Sequence, residues 1–312
     1  LRGLDLTRPR DERREKCGLA LAAIVIANLI GGSTYLAQEE ALAGLPPVTI
    51  TLLRNLLALA CLFLWGLAAG GLRLGFTRRE HGRLALLGTL AYALPLVLGN
   101  VGVGWSSSGN GSILILLEPV SIVLFSWMLL RETVGRAQVF GLALGLVGAL
   151  VIVLENADPA QLLAGEMLSG NVVLALHGIL WGLYSPLMAP LVQHHRPMDV
   201  TFMSMAWAAA ALLPVALLES GQWNAGPQLP PALLWTLGLG VVASFGGTLL
   251  WVWSLRSLSP ATVAPFVFLQ PLAGVAADYL VHGRVPASGA LQGGAVIAAG
   301  VLMVMLPTVR RA

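Results

Sequence analysis

The sequence predicts an all-α integral membrane protein of ten transmembrane helices, built as two inverted five-helix repeats around a central cavity. Three observations predict it. The first is composition. Of 312 residues, 57% are hydrophobic and only 11% are charged, against roughly 25% charged in an ordinary soluble domain, and the mean hydropathy is +0.81. With 18 basic and 15 acidic residues, the chain cannot clothe a soluble globule in polar groups. The 36 glycines and 18 prolines sit inside apolar runs, so they do not indicate disorder. The second observation is the sorting of basic residues to one side of the apolar segments. The third is a match between the two halves of the chain.

Residues 1–16 mix charges of both signs and read as a cytoplasmic tail. They are not expected to be a secretory signal, because the apolar run that follows has full spanning length and no small-residue cleavage site. Apolar segments then cover 17–37, 46–69, 84–104, 111–130 and 137–154, and after them 168–188, 200–218, 232–253, 261–282 and 287–306. Each is close to the roughly 20 residues a bilayer core requires. The expected organisation is a first repeat over 17–155, an outer linker over 156–167, and a second repeat over 168–312 ending in a short cytoplasmic tail.

Ten crossings place both termini on one face. With that face cytoplasmic, the inner segments hold every basic residue except Arg284, in an outer loop, and Arg54, within the second segment. The outer loops carry Glu39, Glu40, Glu155, Asp158, Glu166 and Glu219 instead. This is the positive-inside pattern, and a wrong span count would scramble it. It also explains a pI near 9.2 without nucleic acid.

A shift of 152 residues lays Leu117-Glu118-Pro119 on Leu269-Gln270-Pro271, Gly141 on Gly293 and Gly148 on Gly300. A shift of 150 lays Gly32 on Gly182 and Pro47 on Pro197. Two nearly equal offsets at the two ends of a five-helix unit indicate duplication. An odd number of crossings per unit inverts the second copy.

The chain resembles the drug/metabolite transporter superfamily, in particular its EamA-type members. The resemblance rests on Leu53-Arg54 with the small apolar run 56–61, and on Leu116-Leu117-Glu118-Pro119-Val120 ahead of Arg131-Glu132. It rests also on Gln138, Gly141, Gly145 and Gly148, echoed by Gln292-Gly293-Gly294 and Gly300. Within the superfamily the chain is similar to bacterial amino-acid and metabolite exporters, including the aromatic amino-acid exporter group. The resemblance implies a secondary transporter of the bacterial cytoplasmic (inner) membrane, exporting amino acids or related small metabolites. The nucleotide-sugar and triose-phosphate branches use basic residues for phosphate, and here only Arg54 lies within a segment.

Candidate site residues follow from the rule that polar groups inside a membrane mark function. Arg54 and Glu118 each lie about eight residues from the outer face, roughly 12 Å deep at 1.5 Å per residue. Equal depth allows an intramembrane ion pair that orders two helices. It equally allows a cavity wall that meets a zwitterionic substrate. His177, Trp181 and Tyr184 fall at i, i+4 and i+7, on one helical face, directed to packed core or to the cavity. The 150-residue shift maps that face onto Ala27, Gly31 and Thr34, with Asn28 beside them, so a large wall opposes a small one. Ser244, Thr248 and Trp251 form a similar stripe, as do Tyr92, Leu96 and Gly99 with Asn100 adjacent. Trp251 reads equally as interfacial, and Trp105 and Trp223 read as interfacial belt residues. Gln270 answers Glu118 in the second repeat. Pro119 and Pro271 are expected as repeat-related hinges in mid-helix, with the Ile115 carbonyl left without its helical partner. Gly141 with Gly145 and Gly289 with Gly293 predict close-packed faces holding the fifth and tenth helices against their own halves.

Other classes find little support. Lys16 is the only lysine and precedes the first segment, so no phosphate-binding G-x-x-x-x-G-K loop exists and no nucleotide-binding partner is evident. Cys17 and Cys61 read as small apolar groups, and neither a disulfide nor a metal or cofactor site is expected. No H-E-x-x-H or G-x-S-x-G occurs, so an intramembrane enzyme is not indicated. A passive channel stays open as an alternative. The partners expected are a small-molecule substrate and the lipid bilayer.

Overall fold

A chain with apolar segments of spanning length must satisfy its backbone within those segments, which favours helices. The computed structural model describes residues 10–156, 165, 167–224, 226–286 and 288–311, and every regular element among them is helical. Arg2, Arg8, Asp158 and Glu166 lie outside the described residues, as do most of the expected tail and linker. The α-helices are α1 (Arg10–Gly32), α2 (Thr34–Leu42), α3 (Pro47–Ala68), α4 (Arg78–Leu86), α5 (Leu94–Trp105), α6 (Ser108–Leu114), α7 (Leu117–Leu130) and α8 (Arg136–Asn156). They continue as α9 (Leu168–Trp181), α10 (Tyr184–Val192), α11 (Pro197–Leu218), α12 (Leu229–Gly238), α13 (Thr248–Ser254), α14 (Pro260–Val263), α15 (Leu269–His282) and α16 (Ser288–Arg311). Among the described residues, nine segments are long and apolar enough to cross a membrane. The α7 helix is apolar but has only 14 residues. Leu218, Leu280 and Leu291 are 80% exposed or more, an outer surface suited to lipid.

Repeat-related elements share their boundaries. Helices α3 and α11 run over equivalent residues at offset 150, each opening on a proline at the first helical position after an extended residue, where the missing N–H is harmless and φ is already helical. Helices α7 and α15 match at offset 152. The third and eighth expected segments each contain a π-helical stretch, Leu87–Ala93 and Leu239–Gly247. The first and sixth each break after a glycine pair position, between α1 and α2 and between α9 and α10.

Close backbone contacts explain why those positions are glycine. A Cβ on Gly32 would stand 2.2 Å from the Gln270 carbonyl oxygen, and one on Gly182 would stand 2.4 Å from Ser121 Cβ. Likewise a Cβ on Gly88 would meet the Ser204 carbonyl oxygen at 2.0 Å, while one on Gly240 would meet that of Arg54 at 3.0 Å. Arg54 and Ser204 are themselves repeat-related, so the same contact is made twice.

The central pairs run antiparallel. Glu219, ending α11, accepts hydrogen bonds from Val48 N (3.2 Å), Thr49 N (2.7 Å) and Thr49 Oγ1 (3.0 Å) at the start of α3. At the opposite end, Asp199 in the first turn of α11 accepts from Arg73 N at 3.1 Å, and Arg196 Nη2 donates to Gly71 O at 2.6 Å. Helices α8 and α16 also run antiparallel, with Gly141 against Gly300 and Gly148 against Gly293.

Three expectations differ from the structure. The fifth and tenth segments pack chiefly on each other rather than within their own halves, because their glycines face across the seam and let the backbones approach. Pro119 and Pro271 are not mid-helix. Each is the third residue of its helix, α7 or α15, where a proline needs no partner for its nitrogen. The irregularity lies just before them, at Ile115–Leu116 and in the 3-10 turn Ala264–Phe268. The Ile115 carbonyl is not free, since Glu118 N donates to it at 2.8 Å.

Candidate functional site

The breaks in the first and sixth segments flank a cavity of about 770 Å³, counting its open mouth. Ala27, Gly31 and Thr34 form part of its wall, and so do His177, Trp181 and Tyr184. The two faces related by the 150-residue shift thus meet at one cavity. Trp181 packs against Tyr184 at 5.5 Å between ring centroids and against His177 at 6.5 Å, giving an aromatic wall beside the small one.

His177 is buried and lines the cavity with both nitrogens engaged. Nδ1 lies 2.7 Å from the Pro95 carbonyl oxygen and Nε2 lies 3.1 Å from Tyr35 Oη. A carbonyl only accepts, so Nδ1 carries the proton and, in the neutral ring, Nε2 accepts from the tyrosine hydroxyl. Gly99 makes this possible, because a Cβ there would stand 2.9 Å from the imidazole.

Arg54 and Glu118 also line the cavity, and both are buried. They do not form the ion pair that equal depth allows; among the described residues no salt bridge joins them. Arg54 Nε instead donates to Ser244 Oγ at 2.8 Å, and its Nη1 is buried without a hydrogen-bond partner. Glu118 Oε2 is likewise buried without a partner. The guanidinium is turned by the π-helical stretch that carries Ser244, whereas Glu118 projects from the first turn of α7.

The remaining candidates divide. Thr248, Trp251 and Gln270 line the cavity. Trp251 Nε1 donates to Ser185 Oγ at 2.8 Å, while Trp253 is partly exposed on the outside. Trp105 and Trp223 are exposed too, as belt residues would be. Four candidates are not part of the wall. Asn28 lies behind it, accepting from Gln270 Nε2 at 3.1 Å and donating to Ile24 O at 2.8 Å. Asn100 joins the third segment to the second through Thr51 Oγ1 (2.9 Å) and Pro47 O (3.1 Å). Tyr92 packs behind Trp181 and Tyr184, at 5.8 and 5.9 Å, and Ser244 acts through Arg54. For Asn28, Asn100 and Ser244 a nearby helix backbone or side chain captures the polar group before it reaches the cavity, whereas Tyr92 is set back by its ring packing.

Sequence reasoning missed Tyr35, Gln38 and Ser185, which also line the cavity. Gly31, Tyr35 and Gln38 stand at i, i+4 and i+7, a stripe visible once the helix is carried beyond residue 37. Gln38 Oε1 and Tyr184 Oη are further buried polar atoms without partners. No cluster of His, Cys, Asp or Glu among the described residues can hold a metal ion.

A second cavity of about 2080 Å³ is lined by residues 130–138, 255–260 and the end of α16. Along α7, Glu118 faces the first cavity, Ile122 and Val123 enter an apolar cluster, and Leu130 reaches the second cavity. Along the ninth segment the order is reversed: Thr262, then Ala264 and Val267 in the same cluster, then Gln270. An apolar layer completed by Trp251 therefore separates the two cavities. Asp278, near the far end of α15, pairs with Arg284 at 3.2 Å and His282 at 2.8 Å.

Known proteins resemble this chain over nearly its whole length. The EamA-like transporter family matches residues 18–154 and again residues 168–306. A probable terminal-alkyne amino-acid exporter of Streptantibioticus cattleyicolor is 28% identical over 297 residues, 95% of this chain and 96% of that protein. An uncharacterized transporter of Archaeoglobus fulgidus is 25% identical over 283 residues, 90% of this chain and 95% of its own length. A solved crystal structure shares the fold with a TM-score of 0.75 at 20% identity, covering 95% of this chain and 99% of that one.

Proposed function

This chain belongs to the EamA-like transporter family, and we propose that it exports amino acids or related small metabolites by alternating access across the bacterial cytoplasmic membrane. The observation that carries the reading is the cavity where repeat-related faces meet, Ala27, Gly31 and Thr34 with His177, Trp181 and Tyr184. Inverted repeats around such a site give two mirror-related closures. The apolar layer of Ile122, Ala264 and Val267 is suited to serve as one of them.

In this reading α6 and α7 together form the fourth crossing and bring the count to ten, the repeats occupy 17–155 and 168–312, and both termini are cytoplasmic, on the side of the basic loops. The second cavity is then an inner vestibule, carrying Arg131, Arg136 and Arg256. Breaks beside Pro119 and Pro271 act as hinges. The name of the Streptantibioticus relative supports both the amino-acid class and the outward direction.

Counterflow tests the mechanism. Vesicles holding the purified protein and preloaded with unlabelled amino acid are expected to accumulate labelled tracer transiently above equilibrium, with saturation. A passive channel shows neither behaviour, and its linear flux would overturn the proposal.

A further inference from the structure

The carrier reading leaves the ligand's chemistry and its orientation open. Resting on that reading of the cavity, we propose that the site binds a zwitterion with fixed polarity, its carboxylate on the Arg54 guanidinium and its ammonium on the Glu118 carboxylate.

Both side chains are buried in the cavity wall, and each has an atom without a hydrogen-bond partner, Arg54 Nη1 and Glu118 Oε2. A buried polar group left without a partner is destabilising, more so when charged. Groups of opposite sign ordinarily relieve that cost by pairing. Here the bond from Arg54 Nε to Ser244 Oγ fixes the guanidinium, and the backbone of Glu118 is set at the helix break by its N–H, which donates to the Ile115 carbonyl. The two remain unpaired with each other.

A ligand carrying one charge of each sign satisfies both at once and adds no net charge to a low-dielectric site. An amine leaves Arg54 without a partner, and a carboxylic acid leaves Glu118 without one. The guanidinium presents a planar fork suited to carboxylate, whereas Glu118 can only accept when ionised.

The second repeat supplies no competing pair. Ser204, at the position related to Arg54, donates to Thr201 O at 2.9 Å. Gln270, at the position related to Glu118, is held by Asn28. Charge is therefore confined to one side of a duplicated frame, which selects one orientation of the ligand's amino and carboxylate groups. The ligand side chain is left to the aromatic wall of Trp181 and Tyr184.

The test uses the full chain in detergent and in vesicles. Dissociation constants are measured from thermal stabilisation for the proteinogenic amino acids, and for two analogue series: leucine, isoamylamine and isocaproate, then phenylalanine, phenethylamine and hydrocinnamate. Within a series that binds, the amino acid is expected to bind at least about tenfold more tightly than either analogue, since each lacks one charge-assisted bond. Glu118→Gln is expected to bring the amino acid close to its carboxylate analogue, and Arg54→Gln to bring it close to its amine. Equal binding of an amine or a carboxylate by the unmodified protein overturns the proposal, and so does the absence of binding by every amino acid. A Glu118→Gln variant that weakens all three compounds alike overturns it as well, because that is the signature of a structural role. Counterflow separates this site from the transport reading. Polar binding without exchange removes the carrier mechanism and keeps the site. Exchange of amine or carboxylate as readily as amino acid keeps the carrier and removes the site.

Discussion

Helices α3 and α11 open on Pro47 and Pro197 and close on residues 68 and 218, yet at the level of the cavity the first carries Arg54 and the second Ser204. The same division recurs at Glu118 and Gln270, and at Gly31 and Trp181. Where helices touch each other, the repeats agree: Gly88 on Ser204 matches Gly240 on Arg54, and Gly32 on Ala273 matches Gly182 on Ser121. Where side chains face the cavity, they differ. Duplicated contacts keep two mirror-related packings close in energy, and single-copy side chains let one ligand orientation be preferred. On the carrier reading proposed above, the symmetric frame serves movement and the asymmetric wall serves recognition.

The largest effects are expected from breaking the shared frame. Gly88→Ala places a methyl group 2.0 Å from the Ser204 carbonyl oxygen, a backbone atom of a central helix. Overpacking of this kind costs about 3 kcal/mol or more when the backbone must move, so little monodisperse protein is expected on size-exclusion chromatography in detergent. Gly240→Ala, with Leu57 Cβ at 2.7 Å and the Arg54 carbonyl oxygen at 3.0 Å, is expected to be harmful but milder, because the approaches are less close than at Gly88. Gly82→Ala meets nothing within 4 Å and serves as the control. If Gly240→Ala behaves like Gly82→Ala while Gly88→Ala fails, only one copy of the contact matters and the symmetric frame is refuted.

An intermediate effect is expected from altering the asymmetric wall. Trp181→Ala enlarges the cavity on its aromatic side and should shift preference toward bulkier amino-acid side chains by about tenfold, the worth of roughly 1.4 kcal/mol in differential contact. Gly31→Ala narrows the opposite side, meeting the Gln270 side chain at 3.4 Å, an ordinary contact that the fold can accept. It should shift preference the other way, toward smaller side chains. Competition against a labelled amino acid in counterflow reads both. If Trp181→Ala lowers only the yield of folded protein and leaves the ranking of competitors intact, the ring is core packing and not part of the site.

The contrast between frame and wall also governs what the sequence could reveal. Duplication together with helical period located the opposed faces, because offset 150 carries Ala27, Gly31 and Thr34 onto His177, Trp181 and Tyr184 whatever the details of packing. Depth counting put Arg54 and Glu118 at one level but held no information on azimuth, so pairing and separation were indistinguishable. The stripe Ser244, Thr248 and Trp251 assumes 3.6 residues per turn. The stretch Leu239–Gly247 is π-helical instead, and its wider turn directs Ser244 to Arg54 while Thr248 and Trp251 reach the cavity. Asn28 and Asn100 were misplaced for a different reason: their partners, Gln270 and Thr51, lie far away in the chain and only tertiary contact shows that they are engaged. Tyr35 and Gln38 were legible in principle, as the continuation of the Gly31 stripe past residue 37.

The smallest effects are expected at the two ends of the α3–α11 pair, where the repeats solve one problem with different atoms. At one end Glu219 reaches from the close of α11 to the free N–H groups of Val48 and Thr49. At the other, Asp199 stands within the first turn of α11 and grips Arg196 at 2.7 Å, and Arg196 in turn holds Gly71 of the chain leaving α3. The hydrogen bonds that Arg196 donates to Asp199 keep its guanidinium even further toward the charged form than usual. Glu219→Gln keeps the shape of the cap and removes its charge from a helix N-terminus, a change of about 0.5–1 kcal/mol. Asp199→Asn weakens a pair whose arginine is 29% exposed but whose carboxylate is buried, so water screens it only in part and the loss is expected to be somewhat larger, about 1–2 kcal/mol. Each is expected to lower the thermal midpoint in detergent by a few degrees and to leave counterflow rates near those of the unmodified protein. A variant that keeps its midpoint but changes the exchange rate severalfold would show that this contact is remade between the two states. That end of the molecule would then have to be counted with the moving parts and not with the fixed frame.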